Sequence, residues 1–334
     1  MNSNKSTSRS DARIAISNFL LHIDKKKIIK TILDGLTSDR KYISSKYFYD
    51  EIGSKLFEKI TLLPEYYLTR TEKNILRDAS FQIAGELRDI DIIELGSGDS
   101  SKISILLGSI PTEHIDSVCY IPVDVNQSVM EDSAKLLIKK FPGIKVHGVV
   151  ADFETQLDLI PGGAKRLVCF FGSTIGNLSR KESLNFFSDL GKAMQLDDMI
   201  LLGVDMVKSK DVLDKAYNDS KNVTAEFNRN ILNAVNNLVG TDFDQENFSH
   251  IAFYDEEHSR IEMHLKAKRD MEILCPYLSE RIIINEGETI HTENSHKFTD
   301  EHIDSLALAG GLDIKNIFID ENKWFSLVQF LKKE

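Results

Sequence analysis

The 334-residue chain is poor in cysteine, in basic relative to acidic residues, and in long apolar runs. Its three cysteines, Cys119, Cys169 and Cys275, are widely spaced, which argues against a disulfide framework and predicts reduced core thiols in a cytoplasmic protein. Neither the cysteines nor the nine histidines show metal-ligand spacing, so we predict no metal site. No apolar run approaches the length of a membrane span, and residues 1–13 contain no apolar signal core.

The charge balance narrows the choice of partners. With 41 Lys and Arg against 52 Asp and Glu, the formal net charge is -11. Because phosphate binding depends on lysine and arginine, nucleic acid and anionic membranes are disfavoured as partners. Hydrophobic residues make up 42% of the chain, which suffices for one large or two modest domains with true cores. We expect a monomer that acts on a small molecule.

Four short apolar segments each end in glycine or in a small polar residue. Runs of this kind are typical of strands that are buried in a parallel sheet and present ligands from their carboxyl ends. They cover residues 92–98, 121–124, 150–153 and 170–177. Amphipathic helices alternate with these segments between residues 72 and 206, so the sequence predicts a doubly wound α/β sheet.

The pattern changes after a fifth predicted strand at residues 199–204. Before that strand, a helix over residues 180–194 is predicted to bury Leu184, Phe187, Leu190 and Met194 on one face. A long helical stretch then covers residues 208–239, followed by strand-like segments, a closing helix and a hairpin. The chain is therefore predicted to leave the sheet, build a second domain and return. The predicted parts are a sheet domain of residues 68–206 plus 296–334, a second domain of residues 14–67 plus 207–295, and a flexible segment of residues 1–13.

The loop after the first strand separates two classes of nucleotide ligand. A dinucleotide site needs a third glycine for close helix packing beside the pyrophosphate. Here the six residues from Gly96 to Ser101 read Gly-Ser-Gly-Asp-Ser-Ser, with serine in that place. Glu94 and Asp99 add negative charge, which repels a pyrophosphate and attracts a sulfonium or ammonium group. A glycine pair alone fits an ordinary tight turn equally well.

Acidic residues close the next two strands. Asp124 can accept hydrogen bonds from both ribose hydroxyls, and Asp152 can accept one from an adenine amine while Phe153 lies beside the base. Any one of these carboxylates is more often a strand-end cap. Together with the glycine loop they favour S-adenosylmethionine (SAM), a nucleoside that carries a charged sulfur.

The ordered motifs resemble those of the histidine-specific SAM-dependent methyltransferase family from about Ser45 to the C-terminus. The most specific is Gly-Ser-Thr-Ile-Gly-Asn, from Gly172 to Asn177. The other matching motifs lie at residues 47–50, 53–54, 56–57, 63–67, 69–70, 94–98, 227–230, 260–263 and 290–295.

The resemblance implies a Rossmann-like class I SAM-dependent methyltransferase sheet with an inserted α+β substrate-binding domain. It also implies SAM as methyl donor, S-adenosylhomocysteine as product and no metal. The implied reaction methylates the α-amino group of L-histidine three times and begins ergothioneine biosynthesis.

The resemblance also assigns roles to individual residues. Asn177 would orient the polar end of the amino acid, with the Gly172 carbonyl near the amine, and Tyr217 would bind the carboxylate. Glu293 and Ser295 would hold the two imidazole nitrogens. Three further residues would close and line the pocket: Tyr49, Tyr66 and Met263. The cofactor would contact Glu94, Gly96, Ser97, Gly98, Lys102, Asp124, Asp152 and Phe153.

Each assignment has a structural alternative. Tyr49, Tyr66 and Met263 are core residues by default, and Asn177 is the kind of residue that caps a helix, here before Ser179. The structural alternative for Glu293 and Ser295 is that they form the polar face of a strand.

Two other functions stay open. One is a same-fold N-methyltransferase for a tryptophan derivative or another amino acid, and the other is a SAM-binding protein without turnover. An indole has a single N–H donor, whereas imidazole offers a donor and an acceptor. The pairing of Glu293 with Ser295 therefore favours histidine.

Overall fold

The computed structural model describes most of the chain, namely residues 12–20, 25–85, 87–154, 156–157, 165–279 and 281–333. Apart from residues 12 and 13, the segment predicted to be flexible lies outside the described residues. The described strands are β1 (Ile14–Asn18), β2 (Ile90–Leu95), β3 (Val118–Asp124), β4 (Lys145–Val150), β5 (Lys165–Phe170), β6 (Met199–Asp205), β7 (Phe248–Asp255), β8 (Arg260–Ala267), β9 (Met271–Ile273), β10 (Ile282–Ile284), β11 (Thr289–His296), β12 (Leu312–Ile319) and β13 (Phe325–Lys332).

The described α-helices mostly alternate with these strands along the chain. They are α1 (Lys25–Leu36), α2 (Glu51–Thr61), α3 (Leu68–Ala84), α4 (Ile103–Gly108), α5 (Gln127–Lys140), α6 (Arg180–Ala193), α7 (Lys210–Tyr217), α8 (Val223–Val239) and α9 (Asp300–Gly310). Among these described helices, none combines the length and the apolarity needed to cross a membrane.

Eight strands form one large sheet in the order β1-β4-β3-β2-β5-β6-β13-β12. The first six of these are parallel, and the hairpin of β12 and β13 extends one edge by antiparallel pairing, so β13 alone runs opposite to the other strands. The predicted doubly wound α/β sheet is confirmed. From β2 the chain continues to β3 on one side, and β5 lies on the other side, so the strand order reverses between β2 and β5. Ligands of such sheets bind at the carboxyl ends of the strands beside this reversal.

The strands of this sheet are apolar on both faces because helices cover both. Ile92 and Leu201 lie in the cluster on one face, and Ile93 and Leu202 lie in the cluster on the other. In α6 the predicted face is correct for Phe187, Leu190 and Met194 but wrong for Leu184, which is 37% exposed. Ser183, one position earlier, is buried there instead.

A third apolar cluster joins the helices before β2 to the segment between β6 and β12. Its sheet is antiparallel, in the order β11-β8-β7. The prediction of one continuous helical stretch over residues 208–239 was wrong. The chain turns between α7 and α8, where the Asp219 carboxylate accepts the backbone N–H groups of Val223 and Thr224 at 3.0 and 2.8 Å.

Strand β1 lies in the part of the chain assigned to the second domain, yet it pairs with β4 in the large sheet. Its residues therefore belong with the sheet. The division of the remaining chain into two domains stays a prediction.

Candidate functional site

One cavity lies at the carboxyl ends of β2, β3, β4 and β5, facing the sheet of β8 and β11. Every residue that the sequence assigned to the site lines this cavity. Side chains from α2, α7 and α8 complete its wall, as expected for a crevice at the strand reversal.

The glycine loop begins where β2 ends. Gly96 and Gly98 adopt φ values of +65° and +46°, a region that disfavours side-chain-bearing residues. The Gly98 N–H donates to Asp124 Oδ2 at 3.0 Å, and the Asn126 N–H donates to Asp124 Oδ1 at 2.9 Å. The loop and the carboxylate at the end of β3 are thus held as one unit.

Two acid groups, the buried Glu94 and the half-buried Asp124, lie at this end of the cavity. Glu94 is 2% exposed, and the Tyr120 hydroxyl donates to its Oε2 at 2.5 Å. Burial raises the pKa of Glu94 to about 8, although Tyr120 and Lys102 lower it in part. Burial also raises the pKa of Asp124. A cation in the cavity would favour the ionised form of both groups, so the site fits a positively charged ligand.

The far side of the loop carries Asp152 and Phe153. The Phe153 ring packs edge-on against Phe170 at 5.3 Å, and a Cβ on Gly96 would stand 3.5 Å from it. Lys46 reaches Asp152 Oδ2 at 3.4 Å. Sequence reasoning missed Lys46, because this residue lies in a separate 3₁₀ turn about a hundred residues before Asp152.

A buried glutamate fixes the loop after β5. Glu72 is fully buried and accepts the Gly172 N–H at 2.8 and 3.0 Å and the Lys102 ammonium at 2.8 Å. Gly172 itself has φ +78°. Sequence reasoning also missed Glu72. Its signal was a charged residue on the buried stripe of α3, between Leu68 and Ile75.

The next glycine allows close packing. A Cβ on Gly176 would stand 2.8 Å from the His296 carbonyl oxygen, so only glycine lets this turn approach β11 closely. The helix that follows is capped by Ser179, in a capping box with Glu182. The alternative reading of Asn177 as the helix N-cap is therefore wrong, and Asn177 lines the cavity.

Tyrosines form the wall beside the small sheet. Tyr66 lies edge-on to Tyr217 at 6.3 Å, and Tyr49 also lines the cavity. The hydroxyl of Tyr67 instead donates to Asp205 at 2.8 Å, away from the cavity. Burial raises the pKa of Tyr49 and Tyr66 above the ordinary value, so both hydroxyls are neutral.

Strand β11 supplies the polar end of the cavity. Glu293 and Ser295 are two residues apart and therefore face the same side, and Met263 of β8 pairs with Glu293. Burial raises the pKa of Glu293 to about 7, although Lys297 lowers it in part. The Ser295 hydroxyl oxygen lies 2.8 Å from the Tyr217 hydroxyl and 2.9 Å from the Lys297 ammonium.

A buried ionic network lies behind this polar end. Asp205 contacts Lys297 at 2.8 Å and Lys208 at 2.5 Å, and the three side chains are at most 4% exposed. Burial opposes ionisation of Asp205, but the two lysines lower its pKa below the ordinary value. No sequence signal pointed to this network, because its members come from the end of β6, the following turn and the residue after β11.

The structure also gathers a set of side chains that the sequence did not predict. Glu262, His264 and His291 place donor atoms within 4.8 Å of one another, a proximity that their spacing in the sequence did not indicate, and the expectation of no metal stays a prediction. Glu262 accepts from Arg260 at 2.5 Å and lies 2.9 Å from His264 Nε2. These hydrogen bonds and the guanidinium charge already balance the carboxylate, and we assign the cluster no role.

Comparison with known proteins agrees with this geometry. Residues 28–332 match the family described as histidine-specific methyltransferase, SAM-dependent. A histidine N-alpha-methyltransferase of Mycolicibacterium smegmatis is 38% identical over 90% of this chain and 93% of its own. Ergothioneine biosynthesis protein 1 of Schizosaccharomyces pombe is 29% identical over 70% of this chain and 32% of its own. An L-tryptophan methyltransferase of Psilocybe serbica is 25% identical over 89% of this chain and 90% of its own.

Proposed function

The chain belongs to the family of histidine-specific, SAM-dependent methyltransferases, and from that premise we propose that it methylates the α-amino group of L-histidine three times. The product would be the trimethylammonium betaine with which ergothioneine biosynthesis begins. The observation that carries the proposal is the pair of Glu293 and Ser295 in the same cavity as the glycine loop. The expectation of a cytoplasmic monomer without nucleic-acid or membrane partners stays a prediction.

The cofactor end of the cavity fits SAM. When bound, SAM supplies an electrophilic methyl group on a positively charged sulfur. Glu94 is a buried acid and Asp124 a half-buried one; a cation would stabilise the ionised form of each, and the Gly96–Gly98 loop leaves room beside them. We propose that Asp124 accepts the ribose hydroxyls, that Asp152 and Phe153 flank the adenine, and that Ser97 and Lys102 complete this part of the site.

The substrate end fits histidine in its polar groups and in its size. We propose that Glu293 accepts a ring N–H while Ser295 contacts the other ring nitrogen. Tyr217 and Asn177 would hold the carboxylate and amine, with the Gly172 carbonyl beside the amine. Tyr49, Tyr66 and Met263 would enclose the ring.

The protein's contribution to the reaction is mainly positioning. An ammonium has no lone pair, so the amine must be neutral before each of the three transfers. The neutral hydroxyls of Tyr49 and Tyr66 add no positive or negative charge beside it. After the third transfer no lone pair remains, which ends the sequence.

The alternative substrate is a tryptophan derivative or another amino acid, and the name of the Psilocybe serbica relative gives L-tryptophan as the substrate of that protein. An indole would leave one partner of the Glu293–Ser295 pair without a hydrogen bond, and such pairs discriminate by as much as about 10⁴-fold in favourable cases. A SAM-binding protein without turnover would have no need of this complete set of polar groups.

Incubation with SAM and each of the twenty amino acids tests the function directly. We expect mass increases of one, two and three methyl groups on histidine alone. Histamine, which lacks the carboxylate that Tyr217 would bind, should be a poor substrate. Efficient methylation of histamine would show that the carboxylate anchor is misassigned, and methylation of tryptophan but not histidine would refute the proposed substrate.

Asp124→Ala should weaken the binding of SAM and S-adenosylhomocysteine by about tenfold to 150-fold. The ribose would lose a charge-assisted acceptor worth roughly 1.5–3 kcal/mol. Isothermal titration calorimetry measures the change, and Asp132→Ala, at an exposed acid in α5, is the matched control for loss of charge. An unchanged affinity would remove Asp124 from the site.

A further inference from the structure

A series of hydrogen bonds behind the cavity wall connects Thr292, Asn228 and His250 to the backbone of Tyr217. Asn228 has no exposure to solvent, Thr292 is 1% exposed, and His250 is half-buried. The three side chains come from β11, α8 and β7, and they lie outside the set of residues that lines the cavity. Any effect that they have on a ligand must therefore pass through their neighbours in the wall.

Two backbone carbonyls fix the direction of the bonds in this series. A carbonyl only accepts, so the part of the Asn228 side chain that lies 3.0 Å from the His264 carbonyl oxygen is its NH2 group. That NH2 group is also 2.8 Å from His250 Nδ1, which must accept. The ring proton of His250 is therefore on Nε2, which donates to the Tyr217 carbonyl oxygen at 2.9 Å. Burial lowers the pKa of His250, in agreement with this single neutral tautomer.

The bond from His250 acts on the last residue of a helix. Tyr217 ends α7, so its carbonyl oxygen has no partner within the helix. A separate bond docks the same helix on β7, because the Tyr254 N–H donates to Asp214 Oδ1 at 2.8 Å. His250 therefore fixes the peptide group of Tyr217 itself, whose side chain enters the cavity, on a helix that is also held elsewhere.

The other end of the series holds a bulge in β11. Thr292 is an extra residue there, because the partners of His291 and Glu293 on β8 are adjacent. One extra residue reverses the faces of a strand, so the bulge turns Glu293 towards the cavity. The Thr292 hydroxyl donates to Asn228 Oδ1 at 2.7 Å, which is closer than the Met263 carbonyl oxygen at 3.1 Å.

We propose that Asn228 and His250 are positioning residues that hold the Tyr217 carboxylate anchor at a fixed place relative to the bulge in β11. This inference rests on the proposed function and adds to it two residues that touch neither substrate nor cofactor. Their effects on a ligand should differ. His250 acts at the carboxylate end alone, whereas Asn228 acts at both ends because it also holds Thr292.

The test compares histidine with histamine, which keeps the ring and the amine but lacks the carboxylate. The measured quantity is the ratio of the Kd for histamine to the Kd for histidine, obtained by calorimetry on the full-length chain with S-adenosylhomocysteine present. In the wild type this ratio should exceed one, because only histidine reaches the Tyr217 hydroxyl with a carboxylate. A merely structural loss would weaken both ligands and leave the ratio unchanged.

His250→Asn should lower that ratio about two- to 12-fold, the range that one hydrogen bond gives. The shorter amide takes the place of Nδ1 and can still meet Asn228, but it does not reach the Tyr217 carbonyl oxygen. The histamine Kd should stay at its wild-type value, so the ratio falls through weaker binding of histidine.

Two control variants accompany this change. His250→Gln places an amide nitrogen where Nε2 lies, so it can donate to the Tyr217 carbonyl oxygen and should keep the wild-type ratio. His258→Asn makes the first substitution at an exposed histidine in the turn after β7, and it should also leave the ratio unchanged.

Tyr217→Phe removes the hydroxyl through which His250 would act. Adding His250→Asn to it should lower the ratio no further, because both changes remove the same contact. Asn228→Ala should raise the Kd of histamine as well as that of histidine, since it also releases the bulge beside Glu293. Should this buried substitution prevent folding, the His250 variants carry the test.

Three results would overturn the inference while methylation of histidine by the wild type stands. They are a ratio that His250→Asn leaves unchanged, an equal fall in His250→Gln, and a further fall in the double variant. An Asn228→Ala protein that binds histamine as tightly as the wild type would contradict the role of Asn228. If the wild type does not methylate histidine, the proposed function fails, and the inference fails with it.

Discussion

Glu293→Ala is expected to lower kcat/KM for histidine by about tenfold to 150-fold. The carboxylate would lose a charge-assisted hydrogen bond to the ring N–H, worth roughly 1.5–3 kcal/mol, and a misoriented ring would add to the loss. Cofactor binding should change little, because Glu293 lies on β11 and the glycine loop follows β2. Steady-state kinetics with histidine and calorimetry with S-adenosylhomocysteine measure both effects.

Combining Glu293→Ala with Met263→Val should shift the preference from histidine towards tryptophan. The two side chains pair across β8 and β11 and line the same cavity, so shortening both removes the unmet carboxylate and makes room for a larger ring. The measurement is the tryptophan-to-histidine ratio of kcat/KM in the wild type, each single variant and the pair. A ratio that stays constant across all four proteins would mean that neither residue determines which substrate side chain is accepted.

Asp205→Asn is expected to destabilise the fold by roughly 3–5 kcal/mol, the cost of leaving a buried charge without its partner. Lys297 and Lys208 would lose the carboxylate that holds both, and an NH2 donor would replace one of the two oxygens that accept from the Tyr67 hydroxyl. Urea denaturation gives the change in the free energy of unfolding. Lys208→Met should cost less, because Asp205 then keeps Lys297 as its counter-ion.

The pH dependence of the free energy of unfolding is an independent test of the ionic network around Asp205. The pKa of Asp205 is lowered in the folded protein, so its stabilisation is present above the unfolded value of about 3.9 and is lost as the pH falls further. In the Asn variant the uncompensated lysines should have lowered pKa values. That variant should therefore regain stability as the pH rises towards about 10, where they lose their protons. A variant within 1 kcal/mol of the wild type at all pH values would show that the network is not structural.

The sequence itself determined the sheet and the place of the site. Apolar runs that end in Gly96, Asp124, Asp152 and Gly172 predicted parallel strands, and the carboxyl ends of parallel strands meet at one edge. Hydrophobic periodicity is a local property, so it also predicted most helices. It failed at Leu184, which is exposed because the buried face of that helix includes Ser183 instead. It also failed at Asp219, whose carboxylate accepts backbone N–H groups at the start of a second helix and so divides the predicted helical stretch.

Only the tertiary structure decided what lies behind the site. Glu72, Asp205 and Lys297 are far apart in the chain, and only the folded structure shows that all three are buried and which groups each contacts. Tyr66 lines the cavity whereas its neighbour Tyr67 contacts Asp205, and only the tertiary structure decides which of two adjacent tyrosines faces which side. Hydrogen-bond direction depends on the full set of partners around an oxygen, and packing brings those partners together from separate elements.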